Sequence, residues 1–419
     1  MNPTLRLIGC LIVAATSVAN AQDFFLKNGD TVVFYGDSIT DQRLYTTFAE
    51  TYVLTRFPAL RIKFVHSGWG GDRVSGGGGG SIDVRLRRDV IAYRPTVMTI
   101  MLGMNDGRYR AYDEAIFHEY SSGYEKIIRD VKTALPEVRI TAIQPSPYDD
   151  VTRAPTFEGG YNAVLVRYAQ FLKDLANRQH LNLADLNGPV VAMLEKARAE
   201  NGALSEKIVP DRVHPGPAGH LIMAGALLRA WNAPALVSDV EIDASASAVR
   251  RSTNAEVSSI DNAGGLKWQE LENALPMPIE WKDPVIALAV HSSDFLTALD
   301  REMLRVPGLA AGGYTLKIDS QEVGNFSADQ LKDGINLAEY PTPMAQQAAE
   351  VHKLTLEHNA VHFARWRSVQ VPLDGQGFAL SPVESSLDSL EEQIVLAQRI
   401  AAQPRRHQFE LSRRQATSN

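Results

Sequence analysis

Between Thr31 and Trp231, short apolar runs alternate with longer stretches that repeat apolar residues at helical spacing. Thr31-Val-Val-Phe-Tyr35 is continuous, β-branched and aromatic, the composition of a strand buried on both faces. Arg61 to His66, Thr96 to Leu102, Val138 to Gln144 and Leu181 to Leu186 read as four further strands. Leu44 to Arg56, Val84 to Tyr93, Tyr120 to Leu135 and Asn162 to Gln179 read as the helices between them, and Pro217 to Trp231 as a last one. Pro58, Pro95 and Pro136 follow three of these helices, where a missing N–H and a fixed φ end helical hydrogen bonding. Strands alternating with helices predict an α/β fold, a parallel sheet covered on both faces, over residues 22–235.

The pattern changes after Pro234. Val237 to Asn262 is rich in Ser, Ala, Asp and Val with little helical period, and Ile286 to Val290 and Tyr314 to Ile318 read as strands. This predicts a smaller β-rich module over 236–340, whose expected role is to brace the first unit. Residues 341–419 turn helical at Met344 to Phe363 and Ser386 to Ala402, then end in a polar tail with Arg405-Arg406 and Arg413-Arg414 that is expected to fray. Gly76 to Gly80, five glycines in a row, is expected to be a mobile loop. At about 150 residues per domain, a chain of 419 suits two or three units.

With 45% hydrophobic residues the chain can build a sizeable core, and a net charge of −7 argues against a nucleic-acid partner. Arg6, the apolar run Leu7 to Val18 and the small residues Ala19-Asn20-Ala21 form a signal-peptide pattern over 1–21. It predicts export to the periplasm or the extracellular space, and a mature chain beginning near Gln22 with no integral membrane segment. The single cysteine, Cys10, lies inside that leader. The mature chain is therefore expected to hold no disulfide and no cysteine-based nucleophile or metal site.

Four segments could carry chemistry. Gly36-Asp37-Ser38-Ile39-Thr40, His66-Ser67-Gly68-Trp69-Gly70-Gly71-Asp72 and Gly103-Met104-Asn105-Asp106 each follow a predicted strand, and Asp211-Arg212-Val213-His214-Pro215 precedes the last helix. Taken singly, each reads more readily as turn, loop or cap material. Together they fall where the carboxyl ends of parallel strands form a ligand crevice. Ser38 supplies a hydroxyl, His214 a base, and Asp211, three residues before it, a carboxylate that can fix the ring tautomer. There is no Gly-x-Ser-x-Gly, so the nucleophile elbow of α/β-hydrolases is not the reading.

These segments resemble the blocks of the SGNH hydrolases, also called GDSL esterases and lipases, over Thr31 to Trp231. The first block reads Gly-Asp-Ser-Ile where the family name has Leu, and the second opens on His66 where the family often has Asn. The resemblance implies a three-layer α/β/α fold. It implies a Ser38–His214–Asp211 triad, an oxyanion hole from the Ser38 and Gly71 N–H groups and the Asn105 amide, and no metal or organic cofactor. It also implies hydrolysis of carboxylic esters through an acyl-enzyme.

Export and aromatic loops favour O-acetyl or short acyl groups on carbohydrate, with Trp69, Tyr109 and Tyr148 as substrate-binding candidates. A lipase or arylesterase is the alternative within the family, and a non-catalytic glycan-binding or scaffold protein the alternative outside it. His358-Asn-Ala-Val-His362 has helical i, i+4 spacing but Asn at position 359 in place of the glutamate of a zinc protease, so exposed helix histidines are expected.

Overall fold

A computed structural model of the protein describes residues 24–414. The expected leader over 1–21, with Cys10, lies outside the described residues.

The first part of the chain runs β1 (Thr31–Gly36), α1 (Ser38–Asp41), α2 (Leu44–Arg56), β2 (Lys63–Gly68), β3 (Gly76–Gly77), β4 (Gly80–Ser81), α3 (Ile82–Asp89), β5 (Val97–Met101), α4 (Glu114–Ala134), β6 (Arg139–Ile143), α5 (Tyr161–Gln179), β7 (Asn182–Ala184), α6 (Gly188–Glu200), α7 (Gly202–Ser205) and α8 (Pro217–Ala230). The strands pair parallel in the order β2-β1-β5-β6-β7. The chain steps one way from β1 to β2 and the other way from β5 onward. Right-handed crossovers therefore put α2 on one face and α3, α4 and α5 on the other. The order reverses beside β1, the position at which an open α/β sheet forms its crevice. Val32, Val33, Phe34 and Tyr35 are fully buried, as a strand at the centre of such a sheet requires.

The second part continues β8 (Leu236–Asp243), β9 (Ala248–Thr253), β10 (Ala255–Asp261), β11 (Leu266–Glu272), α9 (Pro284–His291), α10 (Phe295–Leu299), β12 (Arg301–Arg305), β13 (Gly313–Ile318), β14 (Gln321–Ser327), α11 (Ala328–Asp333) and β15 (Ile335–Asn336). Then come α12 (Pro343–Phe363), a π-helical stretch Ala364–Gln370, α13 (Val371–Leu373), α14 (Ser381–Ala401) and β16 (Arg406–Arg413). Two sheets, β15-β12-β8-β9 and β10-β11-β16-β13-β14, share one apolar core that includes Ile242, Trp268, Leu304, Leu316 and Phe409.

Three expectations change here. Ile286 to Val290 is helical: Asp283 caps it through the N–H groups of Val285 and Ile286, and Pro284 opens it. A short apolar run fits a buried helix as well as a strand, and this one joins the first core rather than the β-rich one. The described part of the polar tail does not fray. Arg406–Arg413 alternates exposed and buried residues and lies between β11 and β13, so the β-rich unit closes only after the chain has passed through α12 and α14.

The glycine run forms a tight hairpin, β3 paired with β4. A Cβ at Gly79 would stand 2.6 Å from the Trp69 ring, so only glycine lets the hairpin lie against that indole. Between the two units, α12 packs on α2 and on α14.

Candidate active site

Each segment singled out in the sequence is placed by the end of a strand or by a turn. Ser38 is the first residue of α1, immediately after β1, with Asp37 as N-cap accepting the Ile39 N–H at 3.0 Å. Burial pushes the Asp37 carboxyl up to about 7, against that hydrogen bond. His214 lies on an Asx turn: Asp211 Oδ1 accepts the N–H groups of Val213 and His214 at 2.9 and 2.7 Å. Arg212, at φ +72, anchors the turn through Asp149 O and Ala154 O.

The turn aims the imidazole. His214 Nδ1 lies 2.7 Å from Asp211 Oδ2, and His214 Nε2 lies 2.8 Å from Ser38 Oγ. A carboxylate on Nδ1 fixes the proton there and leaves the Nε2 lone pair for the serine hydroxyl. Burial opposes charge on Asp211, but hydrogen bonds from the His214 N–H, its ring and the Val213 N–H outweigh this and hold its pKa below the usual carboxylate range. The line Asp211–His214–Ser38 can therefore take a proton from Ser38 and hold the resulting imidazolium.

Donors for an oxyanion are present beside it. Gly70 and Gly71 follow β2, and an added Cβ on Gly70 would lie 3.9 Å from Ser38 Cβ. The Gly70 N–H donates to Asp41 Oδ2 at 3.1 Å. Gly71, at φ +79 where only glycine is unstrained, keeps an N–H with no acceptor among the described residues. Asn105, after β5, donates through Nδ2 to Asp72 O at 3.1 Å and accepts the Tyr109 hydroxyl on Oδ1 at 2.9 Å. One Nδ2 hydrogen is left over.

The aromatic candidates differ. Tyr109 and Tyr148 pack with Tyr161 in a cluster, with ring centroids 5.1–6.3 Å apart, on the loops beside the triad. Trp69 is clasped instead. Arg367 lies over its ring, Trp366 meets it edge-on at 5.7 Å, and the glycine hairpin backs onto it. Its faces are occupied.

Asp72, next to Gly71, is buried and paired with buried Arg85 at 2.8 Å; Arg85 also binds Asp89, which accepts Trp366 Nε1 at 2.7 Å. Nothing in the sequence signals Trp366 or Arg367, because their partners Asp89 and Trp69 lie far back in the chain.

His358 and His362 are buried, not exposed, in a cluster with Glu50 and Glu391. His66, the departure in the second block, joins it: Nδ1 faces Thr46 Oγ1 at 2.8 Å and Nε2 faces Glu50 Oε2 at 3.0 Å. Among the described residues no group of His, Cys, Asp or Glu is arranged to hold a metal ion. No described helix is long and apolar enough to cross a membrane.

Residues 34–222 match the GDSL-like Lipase/Acylhydrolase family. An acetylxylan esterase from Geobacillus stearothermophilus is 27% identical over 224 residues, 49% of this chain and 94% of that protein. The solved structure of a gut microbial diltiazem-metabolizing enzyme is 25% identical, with a TM-score of 0.80 over 93% of this chain and 98% of the other. That likeness extends through the β-rich unit and the late helices.

Proposed function

We propose that this chain, whose residues 34–222 belong to the GDSL-like lipase/acylhydrolase (SGNH hydrolase) family and make it a serine ester hydrolase, removes acetyl or other short acyl groups from carbohydrate through an acyl-enzyme. The observation that carries the mechanism is the unbroken line from Asp211 through His214 to Ser38, with Nε2 2.8 Å from Oγ. His214 takes the Ser38 proton as Oγ attacks the ester carbonyl. The negative oxygen that forms is met by the Ser38 and Gly71 N–H groups and the remaining Asn105 Nδ2 hydrogen. His214 returns its proton to the departing alcohol. A water, deprotonated by His214, then attacks the Ser38 acyl ester and frees the acid.

The acetylxylan esterase relative and the tyrosines beside the triad support a glycan substrate. The signal-peptide pattern supports action in the periplasm or outside the cell. A second reading, a small drug-like ester, is favoured by the relative that spans nearly the whole chain, a diltiazem-metabolizing enzyme.

The test is hydrolysis of p-nitrophenyl esters of increasing chain length beside acetylated xylooligosaccharides. Acetate release from the oligosaccharide and a steep fall with chain length are expected, both absent in Ser38→Ala. A preference for long chains removes the acetyl reading, turnover of the aryl ester with no acetate release from sugar favours the second, and full turnover by Ser38→Ala removes the mechanism.

A further inference from the structure

The loop that carries Asn105 is built in an unusual way. Two successive residues without glycine's freedom, Arg108 and Tyr109, hold φ +57 and +52, a left-handed pair that side chains ordinarily avoid. This turn folds Tyr109 back four residues, so that its hydroxyl meets Asn105 Oδ1 at 2.9 Å. Its ring is kept there by Tyr161, centroid to centroid 5.1 Å, and by Tyr148 at 6.3 Å. Tyr161 is itself tied to the same loop, donating to Met104 O at 2.6 Å.

The two partners of Asn105 leave its amide one orientation. The Asp72 carbonyl at 3.1 Å only accepts, so Nδ2 must face it. The Tyr109 hydroxyl then donates to Oδ1. With the carbonyl end occupied and one Nδ2 hydrogen used, the side chain can offer a newcomer nothing but its second N–H. A rotated amide would set Oδ1 against the Asp72 carbonyl, two acceptors face to face. It would also present an acceptor to any negative oxygen forming on a Ser38 adduct. A donor on Oδ1 further polarises the amide and strengthens its N–H groups as donors.

We propose that Tyr109 is a positioning residue: its hydroxyl locks the Asn105 amide with Nδ2 as the donor to the reaction's oxyanion. The strained backbone at Arg108 and Tyr109 is what delivers that hydroxyl. The use of the lock rests on the ester-hydrolase reading above; its existence does not.

Two measurements on the full chain test it. In kinetics on p-nitrophenyl acetate, Tyr109→Phe keeps the ring packing and loses only the hydroxyl. It should lower kcat about fivefold to tenfold, the worth of one neutral hydrogen bond, with KM and Tm unchanged. Asn105→Ala should lose about 10²–10³ in kcat, and the double variant should be no worse than Asn105→Ala, because the lock acts only through that amide. A Tyr109→Phe enzyme within about twofold of the parent, or losses that multiply in the double variant, overturns the proposal.

The second measurement needs no turnover. The Asn105 side-chain N–H pair, identified by its absence in Asn105→Ala, should shift and exchange faster with solvent in Tyr109→Phe. An unchanged pair overturns the lock. A changed pair in a protein that hydrolyses no ester overturns the catalytic reading and leaves the lock standing.

Discussion

Two histidine–carboxylate groups lie within the first unit and at its border with the late helices, and they share their chemistry but not their setting. His214 and Asp211 stand at the rim, their side chains 35% and 55% exposed. His358, Glu50 and Glu391 stand between α2, α12 and α14, all close to fully buried. At the rim, one ring nitrogen meets a carboxylate and the other meets a hydroxyl. In the interior, both nitrogens of His358 meet carboxylates, Glu50 at 3.1 Å and Glu391 at 3.1 Å. Burial works against the charge on His358, but the two carboxylates prevail and lift its pKa to about 10. A histidine held between two anions has no lone pair to use as a base. Openness on one side makes the first group reactive, and closure on both sides makes the second a fastener between the catalytic unit and the helices that follow the β-rich one.

That contrast breaks most visibly at the rim. Replacing His214 by Ala should lower kcat by about 10⁴–10⁶ while leaving the melting temperature close to the parent's, since an exposed side chain contributes little packing. The equivalent change inside should do the reverse. His358→Ala removes the one histidine that pairs with both Glu50 and Glu391 in the interior, at a cost of about 3–5 kcal/mol in unfolding free energy. Turnover per folded molecule should remain near the parent's, because Ser38, His214 and Asp211 are untouched. Denaturant unfolding measured beside active-site titration separates the two. A His358→Ala protein of parental stability and reduced kcat would show the inner group to be part of the reaction and dissolve the distinction.

How much of this was legible before the structure follows from the reach of each interaction. Ser38, His214 and Asp211 were readable because the geometry that matters is local: a turn after β1 and an i, i+3 turn that folds Asp211 onto His214. The parallel strands were readable because burial on both faces leaves continuous apolar runs. Ile286 to Val290 was misread because a short apolar run carries no period of its own, although Asp283-Pro284 held the capping signal. The strand Arg406–Arg413 was missed because its polar residues face solvent from a sheet whose other strands lie far back in the chain. His358 and His362 looked like exposed residues because their partners, Glu50 and Glu391, come from other helices. The contact of the Tyr109 hydroxyl with Asn105 was hidden because positive φ at two ordinary residues has no sequence signature.

A third group of charges sharpens the comparison, since it is closed but lacks a cation of its own. Glu270, Glu272 and Glu302 are buried together where β11 meets β12 and β8, with Asp300 and Arg56 beside them. Glu270 accepts Trp268 Nε1 at 2.9 Å and Glu272 accepts Ser238 Oγ at 2.5 Å, while Glu302 shares a hydrogen bond with Glu272, which needs a proton on one of the two carboxyls. Arg56 is committed to Asp300 at 3.2 Å. The glutamates hold together by remaining partly protonated: burial, then mutual repulsion, pushes Glu270 up to about 8, and burial lifts Glu272 to about 7.

A raised carboxyl pKa means the folded protein binds more protons than the unfolded chain between the ordinary glutamate range and the raised value. Stability therefore falls as pH rises through that window, from about 4.5 to about 8. Asp300, raised to about 7 by burial, adds a loss of the same sign. His358 adds another at higher pH, as it loses its proton approaching about 10, whereas Glu50, held down at about 2, contributes only on the acid side. Burial holds His66, His220 and His352 neutral well below 6.5, a gain that offsets the loss only up to that pH, so urea midpoints should decline from pH 6.5 to pH 8. Glu272→Gln, which keeps the shape and removes one titrating group, should flatten that decline without moving kcat. Midpoints that stay level or rise over the same interval in the parent protein would mean that these carboxyls ionise freely, and that the closed acidic group is hydrated rather than sealed.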